Sequence, residues 1–191
     1  MSTHKLPNVL ICGTPGTGKS SLANLAAEKL APLGFKYLDV TAIIKDHECH
    51  EGLDEQFDSL IVDDDKLLDI MEEMQTDGGC IVDYHSCEFF PERWFELVIV
   101  LSTTTEVLYD RLVARDYNEK KINENMQCEI MQIVLESAKE SYAPEVVQEL
   151  PSNTVDDMES NVNRLEAWVG HWKNTQASSS SQQNNYKSDY V

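Results

Sequence analysis

The chain reads as an α/β protein with a parallel β-sheet flanked by helices, and three observations predict it. Short, continuously apolar runs recur along the sequence, as strands buried on both faces require. Helical periodicity fills the stretches between them. The first run, Val9-Leu10-Ile11-Cys12, passes directly into Gly13-Thr14-Pro15-Gly16-Thr17-Gly18-Lys19-Ser20-Ser21 and then a helical pattern. That is a complete G-x-x-x-x-G-K-[ST] phosphate-binding loop set between a strand and a helix.

The chemistry of this loop follows from its residue types. Glycine takes positive φ without a Cβ clash, so Gly13, Gly16 and Gly18 let the backbone wrap an anion and turn its amides inward. Pro15, Thr17 and Ser21 complete the segment expected around a polyphosphate, and a nucleotide is the expected ligand. Lys19 would lie along the β- and γ-phosphates and Ser20 would bind Mg²⁺, while the helix start near Gly18 adds its positive dipole end.

Taken in order, Ser21 to Leu30 places Leu22, Leu25, Ala26 and Leu30 on one helical face, ended by Pro32 and Gly34. Phe35 to Val40 is the second strand, and strand, helix, strand within about thirty residues makes a βαβ unit with parallel strands. Thr41 to Lys45 could open a short helix, whereas Asp46 to Asp58 is polar without sustained period and reads as a mobile segment over the site. His47, Cys49 and His50 match no standard metal-ligand spacing. Asp63-Asp64-Asp65 suits the positive end of a helix whose stripe is Leu67, Leu68, Met71 and Met74. Gly78-Gly79 stops that helix, and Cys80 to Tyr84 and Leu97 to Leu101 are the third and fourth strands. Thr103 and Glu106 form an expected capping box for a helix running to about Arg115. Ile122, Met126, Ile130, Ile133 and Val134 mark one further long helix, and Val146 to Leu150 is the candidate fifth strand, interrupted by Gln148 and Glu149. Val162, Leu165, Trp168, Val169 and Trp172 stripe a closing helix. Residues 1–173 form one expected domain; the Ser/Gln-rich tail, 174–191, lacks core-forming residues and is expected to be disordered.

Several side chains cluster at the strand ends where α/β proteins bind ligands. Asp83, at the end of the third strand, fits the acidic residue that orients Mg²⁺ and its waters. His85 lies just past the strand tip and is either functional or a structural hydrogen bonder. Arg93 sits among Phe89, Phe90 and Trp94, which could wall a base-binding pocket or simply pack. Arg111 and Arg115 share a helix face, and with Lys120 and Lys121 they put four of the fifteen basic residues within eleven positions. An anion-facing cluster is expected there, because Arg matches phosphate oxygens in bidentate fashion.

Composition narrows the function classes. With 15 basic and 34 acidic residues, the net charge of −19 excludes nucleic acid as the main partner and permits a basic protein. No run approaches the ~20 apolar residues of a membrane span, and the opening residues do not resemble a secretory signal, so an intracellular, soluble protein is expected. Five cysteines without a C-x-x-C pair are expected as reduced thiols.

Four motifs together resemble the adenylate kinase isoenzyme 6 family, nuclear ATPases of the nucleoside monophosphate kinase superfamily: Gly13 to Ser20, Val82-Asp-Tyr-His-Ser-Cys-Glu-Phe-Phe-Pro-Glu-Arg-Trp-Phe95, Arg115-Asp-Tyr-Asn-Glu-Lys-Lys121 and Gln127-Cys-Glu-Ile130. The first is shared by many nucleotidases; the second is specific to the family. The resemblance covers residues 6 to 173. It implies a five-stranded parallel sheet, a monophosphate-binding segment near 39–62, a short lid near 114–124, and the reaction ATP + AMP ⇌ 2 ADP with Mg²⁺, alongside ATP hydrolysis. It further implies a monomer in nucleus and cytoplasm with a role in maturing the small ribosomal subunit, and thus a basic small-subunit ribosomal protein as partner. Lys19, Asp83, His85, Arg111 and Arg115 would be catalytic, Arg115 as the lid-side nucleotide contact, with Ser20 and Asp83 on the metal and Lys45 and Arg93 toward AMP. Many relatives have Gly-Asp-Leu-x-Arg where this chain has Thr41-Ala-Ile-Ile-Lys45, so a point charge replaces a bidentate guanidinium.

Overall fold

The computed structural model describes residues 4–54 and 59–187. Residues 1–3, 55–58 and 188–191, which include the start of the opening segment, part of the expected mobile segment and the end of the tail, lie outside the described residues. The strands are β1 (Val9–Cys12), β2 (Lys36–Asp39), β3 (His50–Asp54), β4 (Ser59–Val62), β5 (Cys80–Asp83), β6 (Leu97–Ser102) and β7 (Val147–Pro151). The helices are α1 (Lys19–Leu30), α2 (Val40–Asp46), α3 (Asp64–Gln75), α4 (Thr105–Val113), α5 (Glu119–Ile130), α6 (Ile133–Ser141) and α7 (Val155–Lys187).

Five strands form the expected parallel sheet in the order β2-β5-β1-β6-β7. The three central strands, β1, β5 and β6, are buried almost throughout, which is why they read as continuous apolar runs. The edge strand β7 is buried only at Leu150, and this accounts for Gln148 and Glu149 in its sequence. One core lies on each face of the sheet. Leu22, Ala26 and Leu30 of α1 pack with Val162, Leu165 and Val169 of α7 on one side. Leu67 and Met71 of α3, Phe90, Trp94 and Leu135 fill the other. Among the described residues no helix is long and apolar enough to cross a membrane.

Register sets up the ligand edge. Ile11 pairs with Asp83 and Asp39 also pairs with Asp83, so the ends of β1, β5 and β2 lie side by side. Asp63 caps α3 by accepting the Lys66 amide at 3.1 Å, as its position in the acidic run suggested.

Several expectations are corrected. Leu25 is 45% exposed, because the buried face of α1 runs through Leu22, Ala23, Ala26, Ala27 and Leu30. Within 46–58, His50–Asp54 pairs with Ser59–Val62 as an antiparallel ribbon. The single helix expected over 122–134 is two, broken where Gln132 takes φ 53°. The Thr103–Glu106 capping box does not form: the Thr103 amide donates to Glu129 at 2.7 Å, and the Thr104 amide to the Asn153 side chain at 2.8 Å. The helix of the tail also continues to Lys187, beyond the expected end at 173; no Pro or Gly follows Gly170 to stop it, and each added turn closes its own backbone bonds.

Candidate active site

The phosphate-binding loop joins β1 to α1 and owes its shape to glycine. Gly13 has φ 143°, and a Cβ there would lie 2.7 Å from the Leu101 carbonyl oxygen. Gly16, at φ 100°, packs so closely under α4 that an added Cβ would lie 2.8 Å from Leu108 Cδ1. The Thr14 carbonyl ties the loop together: it accepts the Thr17 amide at 3.2 Å, the Thr17 hydroxyl at 2.8 Å and the Lys19 ammonium at 3.2 Å. Gly18 caps α1 in a left-handed conformation without a side-chain cap bond, so no side chain competes for the positive helix end. Burial pushes the Lys19 pKa below its ordinary value, opposed by the nearby Asp83 carboxylate. Ser21, two residues further along α1, is exposed.

Asp83 is buried at the tip of β5. Its Oδ2 accepts the Ser20 hydroxyl at 2.5 Å and the Tyr37 hydroxyl at 3.1 Å. A hydroxyl and a carboxylate brought to one point beside the loop are hard oxygen donors of the kind Mg²⁺ takes, so the residues present fit that ion. His85 stands two positions on, exposed, its ring 4.2 Å from that of Tyr84. The protein beneath the ring and the Lys19 ammonium both disfavour the imidazolium, holding the His85 pKa below the usual value.

Beyond the loop lies a cavity of about 670 Å³. Pro15 closes it on the loop side, Ile44 and Lys45 come from α2, and Tyr84 and His85 from the end of β5. Leu53, Leu60 and Val62 of the antiparallel ribbon form an apolar wall, with Tyr117 and Lys121 from the α4–α5 region. The Lys121 ammonium lies 4.8 Å from the Tyr117 ring centroid. Phosphate-binding groups therefore meet an apolar, cation-rimmed space large enough for a nucleotide.

A family model described as an AAA domain matches residues 9–132. A Dictyostelium discoideum protein named adenylate kinase isoenzyme 6 homolog is 48% identical over 166 residues, 87% of this chain and 93% of that protein. A Caenorhabditis elegans protein of the same name is 47% identical over 174 residues, 90% of this chain and 94% of its own. The chain belongs to the adenylate kinase isoenzyme 6 family. Solved structures add a likeness of fold alone: a shikimate kinase from Acinetobacter baumannii superposes with a TM-score of 0.58 at 16% identity, covering 87% of this chain and 94% of that one. A Bacteroides thetaiotaomicron shikimate kinase gives 0.57 at 14%, covering 86% and 99%.

In this member of the adenylate kinase isoenzyme 6 family, the expected basic cluster is divided among four tasks. Arg111 does not face the loop's mouth as a free cation. Its guanidinium donates to the carbonyls of Gly16 at 3.3 Å, Ser152 at 2.8 Å and Asn153 at 3.0 Å, bracing the loop against the segment after β7. Arg115 is exposed, yet close enough for its charge to bear on Lys19. Lys120 pairs with Glu124 at 3.9 Å, and Lys121 lines the cavity. Arg93 is an exposed residue bound to Glu72 of α3 at 2.6 Å, away from the cavity lining, because the 3₁₀ turn Glu92–Trp94 turns Trp94 inward. Phe90, Trp94 and Phe95 pack in the core; of that aromatic stretch only Tyr84 and His85 reach the cavity. Sequence reasoning missed Tyr37, whose one signal is its place two residues before Asp39 on the strand beside β5, and the ribbon wall around Leu53 and Leu60.

Proposed function

We propose that this chain transfers the terminal phosphoryl group of ATP to AMP, giving two ADP, and hydrolyses ATP when water occupies the acceptor's place. The observation that supports this reading most is that the phosphate loop borders a nucleotide-sized space: Pro15 belongs to the loop and also lines the 670 Å³ cavity. The relatives' names point the same way. Mg²⁺, when bound, would supply positive charge that offsets the charge developing on the transferred group. Ser20 and Asp83 are the residues to hold it. Lys19 lies along the β- and γ-phosphates, and Arg115, whose charge reaches Lys19, adds charge over the same group. His85, neutral at pH 7, orients the acceptor oxygen or a water. Lys45 and Lys121 face the AMP phosphate as point charges, so acceptor recognition lacks the fork-to-fork geometry that Arg would provide. Rate then rests on positioning and electrostatics, as is general for phosphoryl transfer.

The charge of −19 favours a second reading, in which the same site is a nucleotide-driven switch for a basic partner, a small-subunit ribosomal protein met in nucleus or cytoplasm during subunit maturation. Turnover of ATP by the purified full chain, with and without AMP and with and without that partner, separates the two. The kinase reading expects ADP formation to rise roughly tenfold or more with AMP, because a bound acceptor replaces a weakly held water. Stimulation by the partner with indifference to AMP would favour the switch.

A further inference from the structure

Asp83 is held from two directions. Ser20, on α1, donates to its Oδ2 at 2.5 Å, and Tyr37, on β2, donates to the same oxygen at 3.1 Å. Strand β2 lies on the far side of β5 from β1, so the carboxylate is gripped between the helix of the phosphate loop and an edge strand. The register pairs Tyr37 with Ile81 and Asp39 with Asp83; the tyrosine side chain therefore reaches two residues along the neighbouring strand to meet the carboxylate. Among the described residues Asp83 Oδ1 has no hydrogen-bond donor.

Two donors on one oxygen have a geometric consequence. The terminal torsion of aspartate is broad and roughly two-fold, so a carboxylate held by a single hydroxyl can swing or exchange its oxygens at little cost. Ser20 is itself one of the groups that would meet the cation, and its hydroxyl cannot by itself fix the orientation of a second ligand. A donor from a separate element can. Tyr37 does not line the cavity, and its hydroxyl meets the loop only at Ser20, beside the shared Asp83 oxygen; its neighbour two residues on, Asp39, caps α2 by accepting the Ala42 amide at 3.1 Å. It thus stands on the strand that leads directly into the helix carrying Lys45.

We propose that Tyr37 is a positioning residue that fixes the Asp83 carboxylate, with Oδ2 committed to Ser20 and Tyr37 and Oδ1 presented to the divalent cation that accompanies ATP. The proposal rests on the reading of Ser20 and Asp83 as the cation's residues. Its partner is the metal–nucleotide complex, and the gain from Tyr37 lies in the metal-dependent part of nucleotide binding. Outer partners of metal-facing carboxylates commonly change metal affinity by ~10-fold or more when removed, whereas a tyrosine that only fills space would not distinguish nucleotide with metal from nucleotide without it.

The test uses Tyr37→Phe, which keeps the ring and removes the hydroxyl. ATP binding to the full chain is titrated calorimetrically once with saturating Mg²⁺ and once with EDTA, and thermal unfolding is followed in parallel. The expected result is ATP affinity within about twofold of the unaltered protein in EDTA, with the affinity gained on adding Mg²⁺ reduced by ~5- to 10-fold. Equal weakening in both arms, or an unchanged gain, would overturn the proposal and leave Tyr37 a packing residue. Asp83→Asn is the companion variant. If it abolishes the Mg²⁺ gain while Tyr37→Phe preserves it, the role of Tyr37 alone falls. If Asp83→Asn also preserves the gain, the cation reading fails and takes the proposal with it.

Discussion

Lys19→Ala should lower ATP turnover by roughly 100-fold or more, because a preorganised charge aimed at the transferring phosphoryl group contributes about 3 kcal/mol or more to the transition state. The fold should survive the change. The Thr14 carbonyl that receives the Lys19 ammonium keeps two other donors, the amide and hydroxyl of Thr17, so the loop stays closed. Nor is a favourable ion pair lost, since burial already disfavours the Lys19 charge in the free protein. Steady-state turnover at saturating ATP, with circular dichroism to show a folded variant, measures the effect. A folded Lys19→Ala protein working at the original rate would remove the loop from the chemistry.

Arg111→Ala should act differently, through the scaffold. One guanidinium supplies donors to three carbonyls, those of Gly16, Ser152 and Asn153, and thereby joins the phosphate loop to the segment after β7. A hydrogen bond from a charged donor contributes roughly 1.5–3 kcal/mol, and because one partly exposed guanidinium is shared among three acceptors the whole set is worth about 2–3 kcal/mol, well short of three full contributions. For a chain of this size that corresponds to a fall in Tm of roughly 5–10 °C. The KM for ATP should rise with it, because the loop's backbone is no longer braced. Arg111→Lys should resemble Arg111→Ala, since one ammonium cannot reproduce a planar fork on three acceptors. Differential scanning calorimetry of both variants decides the matter: an unchanged Tm together with rescue by lysine would mean that Arg111 serves as a phosphate charge instead.

What was legible in the sequence and what was not divide along physical lines. Strands β1, β5 and β6 could be read because burial on both faces forces continuous apolar runs, and the loop could be read because its glycines answer to backbone conformations no other residue takes without strain. Asp83 followed from strand polarity, as an acid at the end of the apolar run Cys80-Ile81-Val82. The antiparallel ribbon was hidden: its first strand, His50–Asp54, carries a single apolar residue, and Leu53 and Ile61 are more than 45% exposed, so no period stands out. The break at Gln132 was hidden for another reason, since neither Gly nor Pro marks it and the apolar spacing continues across it. The capping box failed because partners from distant elements, Glu129 and Asn153, took the amides that local residues were expected to satisfy. Arg111 and Arg93 show the same limit in side chains. Charge is visible in a sequence, but whether a guanidinium meets phosphate, backbone carbonyls or a neighbouring glutamate depends on where the fold sets it.

The central claim is that the phosphate loop and the cavity beyond Pro15 form one two-nucleotide site in which Lys19, Asp83 and His85 stand between donor and acceptor. The most direct measurement is the binding of an analogue that joins both substrates, two adenosines linked by five phosphates, in competition with ATP and with AMP. A two-nucleotide site predicts binding at least ~100-fold tighter than ATP alone, because the second half binds at high effective concentration, and displacement of both nucleotides from the protein. Affinity no greater than that of ATP, with AMP left bound, would contradict the claim.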